Sequence, residues 1–242
     1  MRIDIMTLFP DMCRAVAGES IIGRAAAAGI IEINCVDIRA YTTNKHGKVD
    51  DAPYGGGMGM IMAPQPIFDC YEDICRARGS KQHLIYMSPK GKTLTQQRAR
   101  ELAEGDGFVI LCGHYEGVDQ RIIDEIVDEE ISVGDYVLTG GELPACILVD
   151  CVSRMIDGVL ADSEAFENES HYAGLLEHPQ YPRPEEWHGK KVPEILLSGH
   201  HANIEKWQRE QSLKRTLERR PDMLEKANLT DKERAAIKEK CE

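Results

Sequence analysis

Leu111-Cys112-Gly113-His114-Tyr115-Glu116-Gly117 and Ser132-Val133-Gly134-Asp135-Tyr136-Val137-Leu138-Thr139-Gly140-Gly141-Glu142 lie close together in the chain, each after an apolar or β-prone run. Glycine admits positive φ and lets bare backbone approach a ligand, at an entropic cost that ordinary turns do not require. Any one of these glycines is explained by a turn; the five together read as a single ligand pocket. Between the two stretches Asp119, Asp124, Glu125, Asp128, Glu129 and Glu130 stand against Arg121. Such surroundings disfavour a phosphate-rich ligand and suit a cationic or neutral small molecule.

Working outward, the pattern is that of alternating strands and helices. Ile3, Ile5 and Leu8 predict a first strand that Pro10 closes, followed by a short helix from Asp11. Ser20 is the expected N-cap of a helix that Gly29 ends, and Ile30 to Ile38 reads as a second strand. Pro64 and Pro66 open a helix running to Arg78. Gln82 to Met87 then reads as a strand ending in the loop Ser88-Pro89-Lys90-Gly91-Lys92-Thr93. A helix over Thr95 to Ala103, a buried strand over Phe108 to Cys112, a helix over Asp119 to Val127, a strand edge at Ile131 to Val133 and an apolar helix from Leu143 to Ile156 complete the series. Alternation of this kind implies a mainly parallel sheet with ligands at the carboxyl ends of its strands. The loops after Tyr86, Cys112 and Val133 would then meet at one edge.

Two nucleotide motifs fail on inspection. Gly55-Gly56-Gly57-Met58-Gly59-Met60 does not complete G-x-G-x-x-G and follows no clean strand. Gly91-Lys92-Thr93 resembles the end of a phosphate-binding loop, but Tyr86 stands where that motif requires glycine. The long segment from Arg39 to Met60 reads either as a lid that admits a large substrate close to backbone or as a plain surface loop.

With 242 residues, 42% of them hydrophobic, the chain can build a proper core, and two unequal domains are expected. The net charge of -12 argues against nonspecific coating of nucleic acid. Eight cysteines form no C-x-x-C pair and no zinc spacing, as expected of buried thiols in a reducing cytosol. Residues 1 to 10 carry Arg2 and Asp4, and no run approaches the ~18 apolar residues of a membrane span. A cytoplasmic protein is expected.

Past Val159 the sequence turns polar and weakly patterned from Ala161 to Ser170, as in an interdomain linker, before the stiff Pro179-Gln180-Tyr181-Pro182-Arg183-Pro184. A helix from Asn203 to Arg219 follows, then one capped by Thr230 with Glu233. The first carries Lys206, Arg209, Lys214, Arg215, Arg219 and Arg220 against Glu205, Glu210 and Glu218, a local excess of positive charge. It reads either as a phosphate-contacting face or as a solvated face laced with ion pairs. Trp207 reads as core together with Ile204, Leu213 and Leu217.

Taken together, Leu8-Phe9-Pro10, Tyr54-Gly55-Gly56-Gly57-Met58-Gly59-Met60, Gly113-His114-Tyr115-Glu116-Gly117-Val118-Asp119, the whole of Ser132 to Glu142 and Gln211-Ser212-Leu213 resemble the bacterial tRNA (guanine-N1)-methyltransferases, the TrmD family of the SPOUT class. The resemblance implies an α/β fold: a parallel sheet with helices on both faces and a deep trefoil knot, plus a small helical C-terminal domain. The divisions it implies are 1-160 for binding S-adenosylmethionine, a linker over 161-176, and 177-242 for tRNA. It implies a homodimer whose active sites are shared between subunits, and a methyl group passed to N1 of guanosine at position 37 of tRNA. Donor-binding residues carried over by position are Tyr86, Met87, Ser88, Pro89, Gly113, Tyr115, Glu116, Ile131, Ser132, Val133, Gly134, Asp135, Tyr136, Val137, Leu138, Gly140 and Gly141. Gly55, Gly59, Arg183, Lys214, Arg215 and Arg219 are the tRNA-binding candidates. Magnesium is a further expectation of the resemblance.

By the same resemblance Glu169 is the general base for guanine N1 and Arg154 the partner of the charge that builds on O6. Two positions depart from the family pattern. The base is usually aspartate, and Glu169 adds a methylene, with Glu167 a nearby competitor. Gln180 stands where histidine is common. A catalytically silent RNA-binding relative and a related enzyme acting on ribose are the competing readings.

Overall fold

The computed structural model describes residues 1–160, 166, 169–172 and 174–241, with backbone only for 238–241. The chain divides into two compact units, Met1–Ser163 and Glu164–Glu242.

In the first unit β1 (Arg2–Thr7) is followed by α1 (Pro10–Ala17), α2 (Ser20–Ala27) and β2 (Glu32–Asp37), then a 3-10 turn at Ile38–Tyr41. A small antiparallel pair, β3 (Asp50–Asp51) and β4 (Ile61–Met62), brackets the glycine-rich segment. Then come α3 (Pro64–Arg78), β5 (Leu84–Thr93), α4 (Gln96–Ala103), β6 (Gly107–Cys112), α5 (Gln120–Ile126), β7 (Glu129–Ser132) and α6 (Glu142–Ser153). The five long strands form one sheet in the order β2-β1-β6-β5-β7, parallel at every pairing.

Strand residues alternate between two cores, as the period of two demands. Ile3, Ile5, Ile85, Phe108 and Ile110 pack with Cys13, Ala25, Ala99 and Leu148, so α1, α2, α4 and α6 cover one face. Met6, Leu84, Val109 and Leu111 pack with Ile67, Tyr71, Ile74 and Ile122, so α3 and α5 cover the other. Among the described residues seven cysteines are free thiols, and Cys13, Cys35, Cys70, Cys112 and Cys146 are buried. Among the described residues no helix is long and apolar enough to cross a membrane.

One charged group is buried among these strand residues. Asp4 is fully buried on β1, where its carboxylate meets Arg78 of α3 at 3.0 Å and Arg2 at 3.0 Å and accepts from Asn34 Nδ2 at 3.0 Å. A buried carboxylate is tolerated only when paired in this way.

Local signals placed most elements and misplaced two. α3 starts at Pro64 and ends before Gly79 in the left-handed conformation, as proline and glycine dictate. Thr95 caps α4 by accepting from Arg98 N at 3.2 Å. Ser20, expected as a cap, is instead the first residue of α2, with Glu19 before it and no side-chain capping bond. The expected loop after Met87 is a bulge inside β5: Met87 and Lys92 both pair with Ile131, and Ser88 to Gly91 are extruded between them. Pro89 has no N–H to offer the ladder. Gly91 meanwhile lets the chain lie against the Glu130–Ile131 backbone, where a β-carbon would collide.

The second unit holds a short hairpin of β8 (Glu186–Trp187) and β9 (Lys190–Lys191), then α7 (Glu194–Leu197), α8 (His201–Arg219), α9 (Pro221–Leu224) and α10 (Asp231–Cys241). Leu175, Leu224 and Ala227 form its buried nucleus, with Leu213, Leu217, Leu229 and Ile237 packed around them; Trp207 is half-buried. Thr230 and Glu233 form the expected capping box, Glu233 Oε2 accepting from Thr230 N at 2.7 Å and Thr230 Oγ1 from Glu233 N at 3.3 Å. Arg209 of α8 donates to the same carboxylate at 2.8 Å.

Two outcomes follow from these carboxylates. Asp4→Ala leaves the largely buried Arg78 guanidinium without its carboxylate, and equilibrium denaturation should show a loss of about 3 kcal/mol. The Arg209 hydrogen bond holds the Glu233 carboxyl down at about 2, so its stabilisation is complete above the ordinary carboxylate range and fades as pH falls toward 2. Melting of the second unit should therefore weaken across that acid window, and Glu233→Gln should flatten the dependence.

Candidate functional site

A cavity of about 240 Å3 opens at the carboxyl ends of β5, β6 and β7. Three segments wall it. β5 and its bulge contribute Tyr86, Met87, Ser88, Pro89 and Lys90; the loop after β6 contributes Gly113 through Val118; β7 and the loop beyond it contribute Glu130 to Val133 and Tyr136 to Gly141. The first turn of α6 adds Pro144, and α5 adds Gln120 and Ile123. The loops expected to converge after Tyr86, Cys112 and Val133 therefore do so.

The convergence rests on bare backbone. His114 and Gly140 form an isolated antiparallel bridge, and Gly141 N donates to Gly113 O at 2.8 Å. A β-carbon at Gly141 would stand 2.7 Å from Cys112 Cα and 2.8 Å from Gly113 N, both immobile backbone. One at Gly113 would strike the Tyr86 ring. The β7 loop turns through Ser132, whose Oγ donates to Gly134 O at 2.9 Å, with Gly134 at φ +147. Tyr115 takes a positive φ of 59° without being glycine, a strain of about 1–3 kcal/mol of the sort that collects at functional sites.

The glycine-rich segment before β4 is tied to the same wall. Glu116 N donates to Met60 O at 3.0 Å and Met62 N to Gly117 O at 2.9 Å, while Gly59 lies so close to the Glu116 side chain that any β-carbon would collide with it. Tyr54 and Met58, in contrast, are almost wholly exposed.

Chemically the wall offers many backbone groups, apolar faces from Met87, Val137, Leu138 and Pro144, and the carboxylates of Glu116 and Glu130 against the ammonium of Lys90. Its Tyr86 phenol and the thiol beneath it are not prepared as nucleophiles. Burial pushes the Tyr86 phenol up to about 12. Burial likewise raises the thiol of Cys112, directly beneath Gly113, so that it stays protonated. Among the described residues no three His, Cys, Asp or Glu side chains converge as a metal site.

Of the donor-binding residues read from the sequence, Gly134 and Asp135 lie in the β7 loop without lining the cavity; the others all line it. His114, Gln120, Ile123 and Thr139 line it too and had not been singled out. His114 and Thr139 stood inside the quoted motifs, whereas nothing in the α5 sequence marks Gln120 or Ile123. The two residues expected at the chemistry fall in different units. Arg154 closes the C-terminus of α6 in the first unit, and Glu169 belongs to the second, its N donating to Phe166 O at 3.2 Å. Within its unit Arg154 does not line the cavity, and Glu167 lies outside the described residues. Gly55 and Gly59 are in the first unit; Arg183, Lys214, Arg215 and Arg219 are in the second.

Comparison with known proteins decides what this arrangement belongs to. The description of the family tRNA (Guanine-1)-methyltransferase TrmD matches residues 1–226. The chain belongs to this family. A tRNA (guanine-N(1)-)-methyltransferase of Ruminiclostridium cellulolyticum is 58% identical over 226 residues, 93% of this chain and 97% of that one. Proteins of the same name from Alkaliphilus oremlandii and Halalkalibacterium halodurans are 53% and 51% identical, covering 99% and 98% of this chain and 98% and 96% of their own. The match is full-length and takes in both units.

For this family member the crossing of Gly141 over Gly113 makes a direct prediction. Gly141→Ala must push the two loops apart, and overpacking of this kind costs about 1–3 kcal/mol. Hydrogen exchange should accelerate at the amides of residues 113–117 and 139–141 while the amides of β1 stay protected.

Proposed function

We propose that the protein transfers the methyl group of S-adenosylmethionine to N1 of guanosine at position 37 of tRNA, leaving 1-methylguanosine and S-adenosylhomocysteine. The observation that carries this reading is the cavity built from crossed glycine loops at the strand ends, in a chain that matches the methyltransferase family over both units.

The cavity suits the donor in three respects. Backbone N–H and C=O groups of residues 113–117 and 131–141 can read a purine edge, Met87, Val137, Leu138 and Pro144 can sandwich its faces, and Glu116 and Glu130 favour a cation. The donor, when bound, supplies a sulfonium-activated methyl, already a strong electrophile. What remains for the protein is alignment and one proton. Holding the two reactants in line converts a bimolecular step into a local one. Guanine N1 carries a proton at neutral pH, and Glu169 removes it as general base. Arg154 stabilises the negative charge that moves onto O6.

Because Arg154 does not line the donor cavity and Glu169 belongs to the other unit, acceptor chemistry has to be assembled around it. We assign that assembly to a homodimer. Phe9, Met12, Val16, Ile21, Leu143 and Ile147, all near α1, α2 and α6, are large apolar residues left exposed in the single chain. A second copy would cover them. The trefoil knot belongs to this proposal as well. β7 is an edge strand beside β5, whereas α6, which follows it, packs on the core residues of β1 and β6. The segment between them must cross back over the sheet's edge, and the contact of Gly141 with Gly113 is where that crossing tightens.

The tRNA is proposed to meet Gly55 and Gly59 in the first unit and Arg183, Lys214, Arg215 and Arg219 in the second. Lys214 stands 3.9 Å from Glu218, and Lys206 4.0 Å from Glu210, in exposed pairs that phosphate can replace at little cost. Arg209 differs. Its bonds to Glu233 and Asn228 O hold α8 to α10, which removes it from the cations available to RNA.

The test is transfer of labelled methyl to undermodified tRNA, followed by nucleoside analysis for 1-methylguanosine. Glu169→Gln and Arg154→Ala should each lower kcat by about 100-fold or more while S-adenosylhomocysteine binding persists. No methyl on guanine N1 with the wild-type protein would defeat the assignment.

A further inference from the structure

His114 and Glu142 form a buried pair behind the donor cavity. Glu142, the first residue of α6, is 3% exposed. Its Oε1 accepts a hydrogen bond from Thr7 Oγ1 at 2.8 Å, and that hydroxyl itself accepts from Phe9 N at 2.9 Å. The direction of this chain is therefore fixed, since the one hydroxyl proton goes to Glu142. The other oxygen, Oε2, faces His114 Nδ1 at 3.8 Å. Nδ1 is shut off from solvent and has no hydrogen-bond partner among the described residues. Gly140 closes over both groups, because a β-carbon there would collide with Glu142 Oε2 and His114 Nδ1. Phe9 holds the ring from another side at 5.0 Å between centroids.

A lone pair on Nδ1 aimed at a buried carboxylate would be repulsive, whereas an N–H there is attractive, and in the low-dielectric interior the difference is amplified. We propose that Glu142 holds His114 as the Nδ1–H tautomer, and that through this contact His114 is a positioning residue for the donor, locking the loop after β6 to the loop after β7. The lone pair then lies on Nε2, in a residue that lines the cavity. The inference rests on the cavity being the donor site.

The test has two independent readouts. In protein labelled with 15N-histidine at alkaline pH, the signals that His114→Phe removes should show a pyrrole-type Nδ1 and a pyridine-type Nε2. Glu142→Gln should abolish that preference. By calorimetry, His114→Phe keeps the ring stacking yet should weaken S-adenosylhomocysteine binding about tenfold, as should Glu142→Gln, the loss expected when a buried electrostatic contact that positions a binding loop is removed. The double variant should be no weaker than the worse single one, because the pair acts as a unit. His114→Asn, whose amide can place an N–H near the Nδ1 position, should recover most of the affinity. An Nε2–H tautomer in the wild type, unaltered binding by His114→Phe, additive losses, or an Asn variant as weak as Phe would each overturn the proposal. If the wild type itself failed to bind S-adenosylhomocysteine, the donor-site reading would fall first, a result distinct from normal wild-type binding with indifferent variants.

Discussion

The first unit depends on one contact between two stretches of naked backbone, the hydrogen bond from Gly141 N to Gly113 O. Edge strand β7 lies beside β5, but the helix that follows it has to reach the core over β1 and β6. The connecting segment therefore passes the carboxyl end of the sheet, where parallel strands present their ligand-binding loops. The passage is so tight that no side chain fits at Gly141. The same approach that lets the chain return to its core also creates a concave wall of unencumbered peptide groups. Fold and cavity answer to a single constraint, and this is why glycine recurs there despite its entropic cost.

The distribution of charge follows a related logic. The chain carries -12 overall, and two carboxylates, Glu116 and Glu130, stand on the cavity wall itself. Its surplus cations lie on α8. A protein of this sign is repelled by polyanions at long range, so attraction to RNA has to be local and come from a few exposed groups within a screening length. Exposed pairs such as Lys214 with Glu218 suit that purpose, because partners held so weakly exchange readily for phosphate. Arg209, locked to Glu233 in a capping network, serves the fold instead.

Much of this organisation was legible in the sequence where a local rule governs. Pro64 and Gly79 bracket α3, Thr230 with Glu233 announces α10, and the glycines of residues 113–117 and 134–141 mark the cavity. The reading failed where tertiary contact overrides local chemistry. Ser20 has the composition of a cap but takes the first position of α2. Ser88 to Gly91 look like the end of a strand, and only the presence of β7 beside them turns the segment into a bulge within it. At Glu142 the sequence raised no expectation at all: an acidic residue in a first helical turn carries no local mark of burial, and Thr7, which lies far away in the chain, supplies its hydrogen bond.

The separation of roles bears on why the proposed chemistry would be arranged in this manner. A sulfonium methyl donor reacts with any well-placed nucleophile, and on the wall that would hold it the Tyr86 phenol, like the Cys112 thiol beneath, is kept protonated by burial. The proposed base sits instead in the second unit, just past a segment of weak patterning. With Glu169 supplied by the second unit, the proposed chemistry would couple removal of the N1 proton to binding of the acceptor. Binding energy from the large RNA would then be spent on ordering the catalytic group, which raises discrimination at the reacting step more than affinity for the donor.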